Sequence, residues 1–236
     1  MRILALDSSG LVASVAVVED EQTVAEYTVN YKKTHSQTLL PMLDEVAKMI
    51  ELDLKEVDAI AVAGGPGSFT GLRIGSATAK GLGLALHKPL VHVPTLEGLA
   101  YNLYGVSGLV CPIMDARRKQ VYTGIYSFDT GFHVIKDQEA IAVKELTQLL
   151  NTMEGPVTFL GDGVPVYKEI LEEELTVTHF YAPANMNRQR AASVGLLGMQ
   201  YYKEGKAETA ADHKPDYLRV SQAERERQER KQEGGQ

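Results

Sequence analysis

The sequence predicts an α/β fold made of two similar lobes, and two observations support this prediction. β-rich and helical runs follow one another in the order βββαβαβα, and this order occurs twice along the chain. A meander of three strands opens each half, beginning near Ile3 and near Leu109. Two such halves indicate a duplicated ribonuclease-H-like domain. We therefore expect one lobe over residues 1–105, a second over residues 106–220, and a charged polar tail over residues 221–236.

The first half contains the elements that this fold needs. β-rich runs flank Asp7-Ser8-Ser9-Gly10, which has the composition of a turn, and a third strand is predicted over residues 23–31. A helix is predicted over residues 36–51. The strand VDAIAVAGG, a helix over residues 70–86, the strand PLVHV and a helix over residues 95–104 complete this half.

The second half repeats the order. LVCPIMDA, KQVYTGIYSF and FHVIKD are predicted strands, and a helix follows over residues 143–153. PVTFLGDG then predicts a strand, VPVYKEILEEE a helix, TVTHFYA a strand, and residues 187–203 a final helix. The repeat is visible in the order of elements and not residue by residue.

Composition limits the classes of protein that fit. The 236 residues are 44% apolar and 23% charged, with a formal net charge of −7, which disfavours direct gripping of a nucleic-acid backbone. Cys111 is the one cysteine, so an intrachain disulfide and a cysteine metal cluster are excluded. No apolar run approaches the roughly 18–20 residues of a membrane-spanning helix, and the first residues lack a signal-peptide pattern. We expect a cytoplasmic protein with no membrane contact.

The glycine-rich stretch GGPGSFTGLRIG, at residues 64–75, invites comparison with phosphate-binding loops. A Walker A loop would require a glycine where Pro66 stands and a lysine where Leu72 stands. A dinucleotide-binding loop would require a third glycine where Thr70 stands. We therefore interpret the stretch as a strand-to-helix turn, with Ser68 or Thr70 capping the helix.

Two neighbouring helices have unusual surfaces. In the helix over residues 70–86, small residues recur every four positions, and each interior glycine costs up to about 1 kcal/mol relative to alanine. Close approach of another backbone would offset this cost, and the sequence leaves open whether that backbone is internal or belongs to another chain. The helix over residues 36–51 has an apolar stripe widened by two methionines. Together the helices predict a partner-binding face: Leu39, Leu43, Val46, Ile50, Gly71, Gly75, Ala79 and Gly83.

Several segments, in order, resemble one known family. LALDSS, HSQTLLPML, GGPGSFTGLRIG, PLVHVPTLEGLA and PIMDARRKQVY resemble the TsaB (YeaZ) family, and PDYLRVSQAE resembles its closing segment. The resemblance implies the actin-like, sugar-kinase-like ATPase fold, in agreement with the duplicated pattern. It also implies a non-catalytic subunit that binds and stabilises the catalytic subunit TsaD in making N6-threonylcarbamoyladenosine at tRNA adenosine 37.

The same resemblance implies the other partners. TsaE, a small ATPase, completes the bacterial complex, and tRNA is reached only through that complex. In isolation we expect the chain to cover its apolar helix face by forming a homodimer.

The sequence argues independently against catalysis. TsaD-like chains carry two histidine metal ligands in an H-x-E-G-H arrangement, four residues apart on one helical face. The corresponding residues here are Thr95-Leu96-Glu97-Gly98-Leu99, so both ligands are absent. We expect no metal site and no cofactor from the remaining scattered histidines, which leaves a metallopeptidase without chemical support.

An alternative function is an active sugar-kinase-like ATPase that uses Asp7 and Asp115. The resemblance places one aspartate in the first hairpin of each lobe, where carboxylates act through Mg²⁺ near phosphates. The competing interpretation is that both are turn aspartates that accept from backbone N–H groups. Candidates for a vestigial nucleotide or phosphate site are Asp7, Ser8, Ser9, Asp115, Arg117 and Arg118.

Overall fold

In a computed structural model that describes residues 1–31 and 34–218, eleven strands and six α-helices form two sheets with flanking helices. The strands are β1 (Arg2–Asp7), β2 (Ala13–Glu19), β3 (Gln22–Val29), β4 (Ala59–Ala63), β5 (Leu90–Val93), β6 (Leu109–Asp115), β7 (Gln120–Ser127), β8 (His133–Ala142), β9 (Val157–Leu160), β10 (His179–Tyr181) and β11 (Ala207–Glu208). The helices are α1 (His35–Met49), α2 (Phe69–Leu86), α3 (Thr95–Ala100), α4 (Val143–Leu150), α5 (Val164–Glu174) and α6 (Ala191–Lys203). The predicted charged tail lies outside the described residues.

The two sheets share one strand order. The first is β11-β5-β4-β1-β2-β3 and the second is β10-β9-β6-β7-β8. In each sheet the first three strands of the lobe form an antiparallel meander, and the next two strands join in parallel. The predicted duplication of βββαβαβα is therefore confirmed, with β11 as an addition at the edge of the first sheet.

The central strands explain why the first lobe has a large core. β4 and nearly all of β1 are buried, so their sequences are continuous apolar runs without the alternation of a half-exposed strand. One face of this sheet packs against α1 and α2 through Leu4, Leu39 and Ala79. The opposite face packs against α6 through Ile3 and Leu197.

The third helix of each lobe packs on the sheet of the other lobe. α6 contacts β1, β2 and β4, and α3 contacts β6 and β7. Gly198 allows close packing of α6, because a Cβ atom there would lie 2.6 Å from the Cβ atom of Ala61. This exchange joins the lobes through two apolar contacts, and the order of elements along the sequence did not predict it.

The chain after α6 returns to the first lobe. β11 pairs with β5, and the following residues run along α2. Lys80 Nζ donates hydrogen bonds to the carbonyl oxygens of Ala211 and His213, at 2.9 and 3.0 Å. Within the described residues, no helix combines the length and apolar character that crossing a membrane requires. The predicted boundary at residues 105 and 106 falls in the connection between α3 and β6 and stays a prediction.

Candidate functional site: the α2 helix and the cleft between the lobes

The small-residue ridge of α2 faces the interior of the first lobe. A Cβ atom at Gly75 would lie 2.5 Å from Ser8 Oγ, and one at Gly71 would collide with the carbonyl oxygen of Ser8. Ala79 is fully buried, and a Cβ atom at Gly83 would lie 2.8 Å from that of Ala210. The neighbour that the ridge approaches is therefore the chain itself, which corrects the expectation that these four residues form an outer face.

The apolar stripe of α1 is likewise internal. Leu39, Leu43 and Val46 are at most 5% exposed, and Ile50 packs against the same core at its edge. Helical spacing identified the buried side of α1 correctly, because an apolar stripe marks the side that leaves water. It could not show that the first sheet, and not a partner, covers that side.

A second ridge of small residues lies on the outer side of α2. Ala77, Gly81 and Ala85 are each four residues apart and are exposed. A Cβ atom built at Gly81 would meet no atom of the described residues within 4 Å beyond its own helical turn, so packing among those residues does not explain this glycine. Leu84 lies beside this outer ridge and is 57% exposed. The sequence carried this signal, since Gly81 does not belong to the four-residue series of the inner ridge.

The glycine loop closes on the turn after β1. Ser68 N donates to the carbonyl oxygen of Ser9 at 2.6 Å, and the Ser8 hydroxyl donates to the carbonyl oxygen of Gly71 at 2.9 Å. Gly67 permits this contact, because a Cβ atom there would collide with the Ser9 carbonyl oxygen. Ser68 also caps α2 by accepting from Gly71 N, so the predicted cap is confirmed for Ser68. The glycine-rich turn before α2 and the turn after β1 therefore contact each other directly.

Asp7 is used within its own turn. Its Oδ1 atom accepts hydrogen bonds from Ser9 N at 2.9 Å and from Ser9 Oγ at 2.7 Å. The side chain is almost fully buried, and this burial raises the pKa of Asp7 to about 6. These contacts match the turn-aspartate interpretation.

A cleft of about 720 Å³ lies between the lobes, and three of the six candidate nucleotide residues line it: Ser9, Asp115 and Arg117. Asp115 Oδ1 accepts from Arg117 N at 2.8 Å and from the Tyr167 hydroxyl at 2.7 Å. Asp162 also lines the cleft, and burial raises the pKa of its carboxyl group. Arg117, Arg118 and Lys119 all have left-handed backbone conformations, with φ of 61°, 54° and 58°. They form the tight turn that follows β6.

Thr95 and Leu99, which correspond to the histidines of the TsaD-like H-x-E-G-H arrangement, are part of the packing. Thr95 is fully buried, and its Oγ1 atom accepts a hydrogen bond from Gly65 N at 3.0 Å. Leu99 is 1% exposed and lies in an apolar cluster with Val110. The Glu97 carboxylate accepts a hydrogen bond from the Tyr201 hydroxyl. These positions hold α3 and α6 in place.

Three titratable side chains that the sequence did not connect lie together at the edge of the first sheet. Ligand-capable atoms of His92, Glu208 and His213 all lie within 4.8 Å of one another. Burial lowers the pKa of His92. The sequence-based interpretation missed this cluster because His92 is more than 100 residues from the other two and Glu208 belongs to no motif.

Comparisons with known proteins agree with this architecture. A family model described as "TsaD: tRNA N6-adenosine threonylcarbamoyltransferase" matches residues 22–227. The tRNA threonylcarbamoyladenosine biosynthesis protein TsaB of Bacillus subtilis (strain 168) is 35% identical over 226 residues, covering 95% of this chain and 96% of that protein.

Solved structures give the same result. YeaZ from Pseudomonas aeruginosa has a TM-score of 0.77 and 26% identity, covering 92% of this chain and 99% of that one. A ROK family protein from Streptococcus pneumoniae TIGR4 has a TM-score of 0.50 and 12% identity, covering 86% and 100%, a likeness in fold alone. The predicted duplicated fold of actin-like and sugar-kinase-like ATPases is therefore confirmed. The chain belongs to the TsaB (YeaZ) family, within the wider family that the TsaD model describes.

Proposed function

We propose that this chain is a non-catalytic subunit of the bacterial machinery that makes N6-threonylcarbamoyladenosine on tRNA adenosine 37. In that role it binds and stabilises the catalytic subunit TsaD, and TsaE completes the complex. Membership of the TsaB family supports the pathway. The net charge of −7 supports a protein partner, with tRNA reached through the complex in the cytoplasm.

The absence of catalysis has support from the packing of α3. Catalytic zinc requires histidine, cysteine or carboxylate ligands around an open position. Thr95 and Leu99 occupy the two positions of the family's histidine ligands, and both are enclosed in the core. A residue that packs there cannot also hold a reacting metal, so we assign no catalytic residue to this chain.

The main support for the proposed interface is the open space around Gly81. A glycine inside a helix costs up to about 1 kcal/mol relative to alanine. Neighbours within the chain explain Gly71, Gly75 and Gly83, but a Cβ atom at Gly81 would meet no side chain of the part of the chain that the structure describes. A partner helix that approaches the outer ridge closely would offset this cost.

Exposed apolar side chains on both helices extend this surface. Leu84 beside the outer ridge is 57% exposed, and Leu40 and Met49 of α1 are 52% and 83% exposed. A methionine adapts its shape to different neighbours, as a surface that takes two partners requires. We propose that a second copy of the chain covers this surface when TsaD is absent.

The substitution Leu84→Glu tests the interface directly. It places a charge within the proposed contact, so we expect the dissociation constant for purified TsaD, measured by calorimetry, to rise at least about 10-fold. Val166→Glu is the matched control, since Val166 is 56% exposed on α5 in the other lobe. Equal affinities of the wild type and Leu84→Glu would contradict the interface. Sedimentation should show the dimer weakened by Leu84→Glu alone.

The alternative function, an ATPase that uses Asp7 and Asp115, is separated from this proposal by a titration with Mg-ATP. Asp7 accepts two hydrogen bonds inside its turn and is 1% exposed, whereas a Mg²⁺-binding carboxylate needs open oxygen atoms. We expect the isolated chain to show no tight stoichiometric binding in the calorimeter. Saturable binding of one Mg-ATP per chain that Asp115→Asn abolishes would favour the ATPase.

A further inference from the structure

We propose that His92, Glu208 and His213 form a structural zinc site that fastens the segment after α6 to the first sheet. One ligand-capable atom from each residue lies within 4.8 Å of the other two. The three residues come from β5, from β11 and from the loop that follows β11. A metal held by all three would therefore join elements that are distant in sequence.

Two of the spacings between polar atoms lie near the spacing of a tetrahedral site. His213 Nδ1 lies 2.7 Å from Glu208 Oε1, and His92 Nε2 lies 3.4 Å from Asp216 Oδ2. Bonds of 2.0–2.2 Å in a tetrahedral zinc site place neighbouring ligand atoms about 3.3 Å apart. The two distances lie on either side of this value, so small side-chain rotations would bring each pair onto one ion. Asp216 lies outside the group of three whose ligand-capable atoms are all within 4.8 Å of one another, so its carboxylate would have to turn towards Glu208 and His213 to become the fourth ligand.

Burial supports a site of this kind at both histidines. The His213 side chain is 0% exposed, and His92 Nε2 is buried without a hydrogen-bond partner among the described residues. The Asp216 carboxylate faces this nitrogen at 3.4 Å without forming a hydrogen bond, and a bound metal would give the shielded nitrogen a partner. Room for the His92 ring comes from Gly64, since a Cβ atom at Gly64 would collide with that ring.

The donor set selects the metal. Two imidazole nitrogens with carboxylate oxygens suit zinc, whereas Mg²⁺ and Ca²⁺ are held by oxygen ligands. With Asp216 turned in as a fourth protein ligand, no position would stay open for a substrate, and the site would be structural.

Such a site would add a further attachment between this segment and the first lobe. β11 contributes only two residues to the sheet, and the chain beyond it is held on α2 partly through Lys80. Asp216, Tyr217 and Leu218 of this segment line the cleft between the lobes. Zinc would therefore fix one wall of that cleft.

Titration of tag-free, EDTA-treated protein with zinc chloride tests the proposal. Calorimetry should show one zinc ion per chain, and the melting temperature should rise with zinc. His92→Gln and Glu208→Gln should each weaken zinc binding at least about 10-fold. His133→Gln is the matched control, because His133 is exposed and bonded to Thr130, and it should bind zinc like the wild type.

The absence of saturable 1:1 binding by the wild type would overturn the proposal, and so would unchanged binding by both His92→Gln and Glu208→Gln. These two side chains are 23% and 32% exposed, so their replacement should leave the fold intact, which circular dichroism checks. The visible absorption spectrum of the cobalt-loaded wild type gives a second test that needs no variant. Intense visible absorption supports four-coordinate binding, and weak octahedral absorption contradicts it.

Discussion

The Ser8 hydroxyl donates a hydrogen bond of 2.9 Å to the carbonyl oxygen of Gly71. This bond joins the turn after β1 to the first turn of α2. These are the two segments whose sequences invited comparison with phosphate-binding loops. Gly71 and Gly75 both lie against Ser8, so side chains at these positions would separate the two elements. The glycines of this stretch are therefore explained by a contact within the chain.

A glycine-to-alanine substitution should have opposite effects on stability in the two ridges of α2. Gly75→Ala should lower the free energy of unfolding by about 1–3 kcal/mol, because its Cβ atom would lie 2.5 Å from Ser8 Oγ. Gly81→Ala should raise it by up to about 1 kcal/mol, because the new methyl group meets open space. Urea unfolding of both variants checks this, and equal stabilities would refute the assignment of the ridges.

The raised pKa of the buried Asp7 carboxyl group should make the stability of the folded chain depend on pH. Its pKa is about 6 in the folded chain against 3.8 in the reference state, so the folded chain holds the proton more tightly. The stability that Asp7 contributes is present below pH 4, falls as the pH rises towards 6, and is then constant.

Asp7→Asn removes this dependence and keeps an oxygen that accepts both Ser9 hydrogen bonds. At pH 7.5 the variant should be more stable than the wild type by up to about 3 kcal/mol, at about 1.36 kcal/mol per pKa unit. Urea unfolding at pH 4.5 and 7.5 measures the difference between the two proteins. A difference that does not change with pH would contradict the burial of the charge.

Cys111 should be inert in the folded chain. Its side chain is fully buried, and this burial raises the pKa of the thiol to about 12, so the reactive thiolate is scarce at pH 8. We expect an aromatic disulfide reagent to react with native protein at least about 100-fold more slowly than with protein in urea. Rapid reaction of the native chain would show that β6 is open to solvent.

Glu26 should hold the exchanged helix α6 in place. Its carboxylate, 9% exposed, accepts from Arg190 Nε and from Ala192 N, both at 3.0 Å. Glu26→Ala should lower the free energy of unfolding by about 1–3 kcal/mol, because a backbone N–H group at the start of α6 loses its partner.

Glu19→Ala is the control for this variant, since Glu19 pairs with Arg2 nearer the surface and should matter by less than about 1 kcal/mol. Hydrogen exchange should locate the effect of Glu26→Ala in residues 191–203. An equal decrease in the free energy of unfolding in both variants would contradict the role of Glu26 in holding α6.

The order and type of the elements could be predicted from the sequence because apolar periodicity reports them locally. The packing of α3 and α6 on the sheet of the opposite lobe could not be predicted. Leu99 and Leu197 each indicate that one side of their helix is buried, but not which sheet covers it. The same limit applies to Gly71 and Gly75. Their spacing correctly indicated a close approach, but the approaching backbone is Ser8 and not a partner.

The candidate sites show a related limit. The His92–Glu208–His213 cluster depends on β11 returning to β5, a pairing of two residues that no sequence pattern marks. Ser68 was predictable as a cap because capping depends on residues three apart, a distance over which sequence and structure correspond closely.

The most direct test of the central claim is the affinity of TsaD for Gly81→Trp, measured by calorimetry beside Gly81→Ala. A large ring on the outer ridge would hold the helices apart without disturbing the interior, since no other element among residues 1–31 and 34–218 lies within 4 Å of the Cβ position. The account predicts that Gly81→Trp folds like the wild type and binds TsaD at least about 100-fold more weakly, with Gly81→Ala much closer to the wild type. Wild-type affinity in a folded Gly81→Trp variant would contradict the proposal that α2 takes the partner through this ridge.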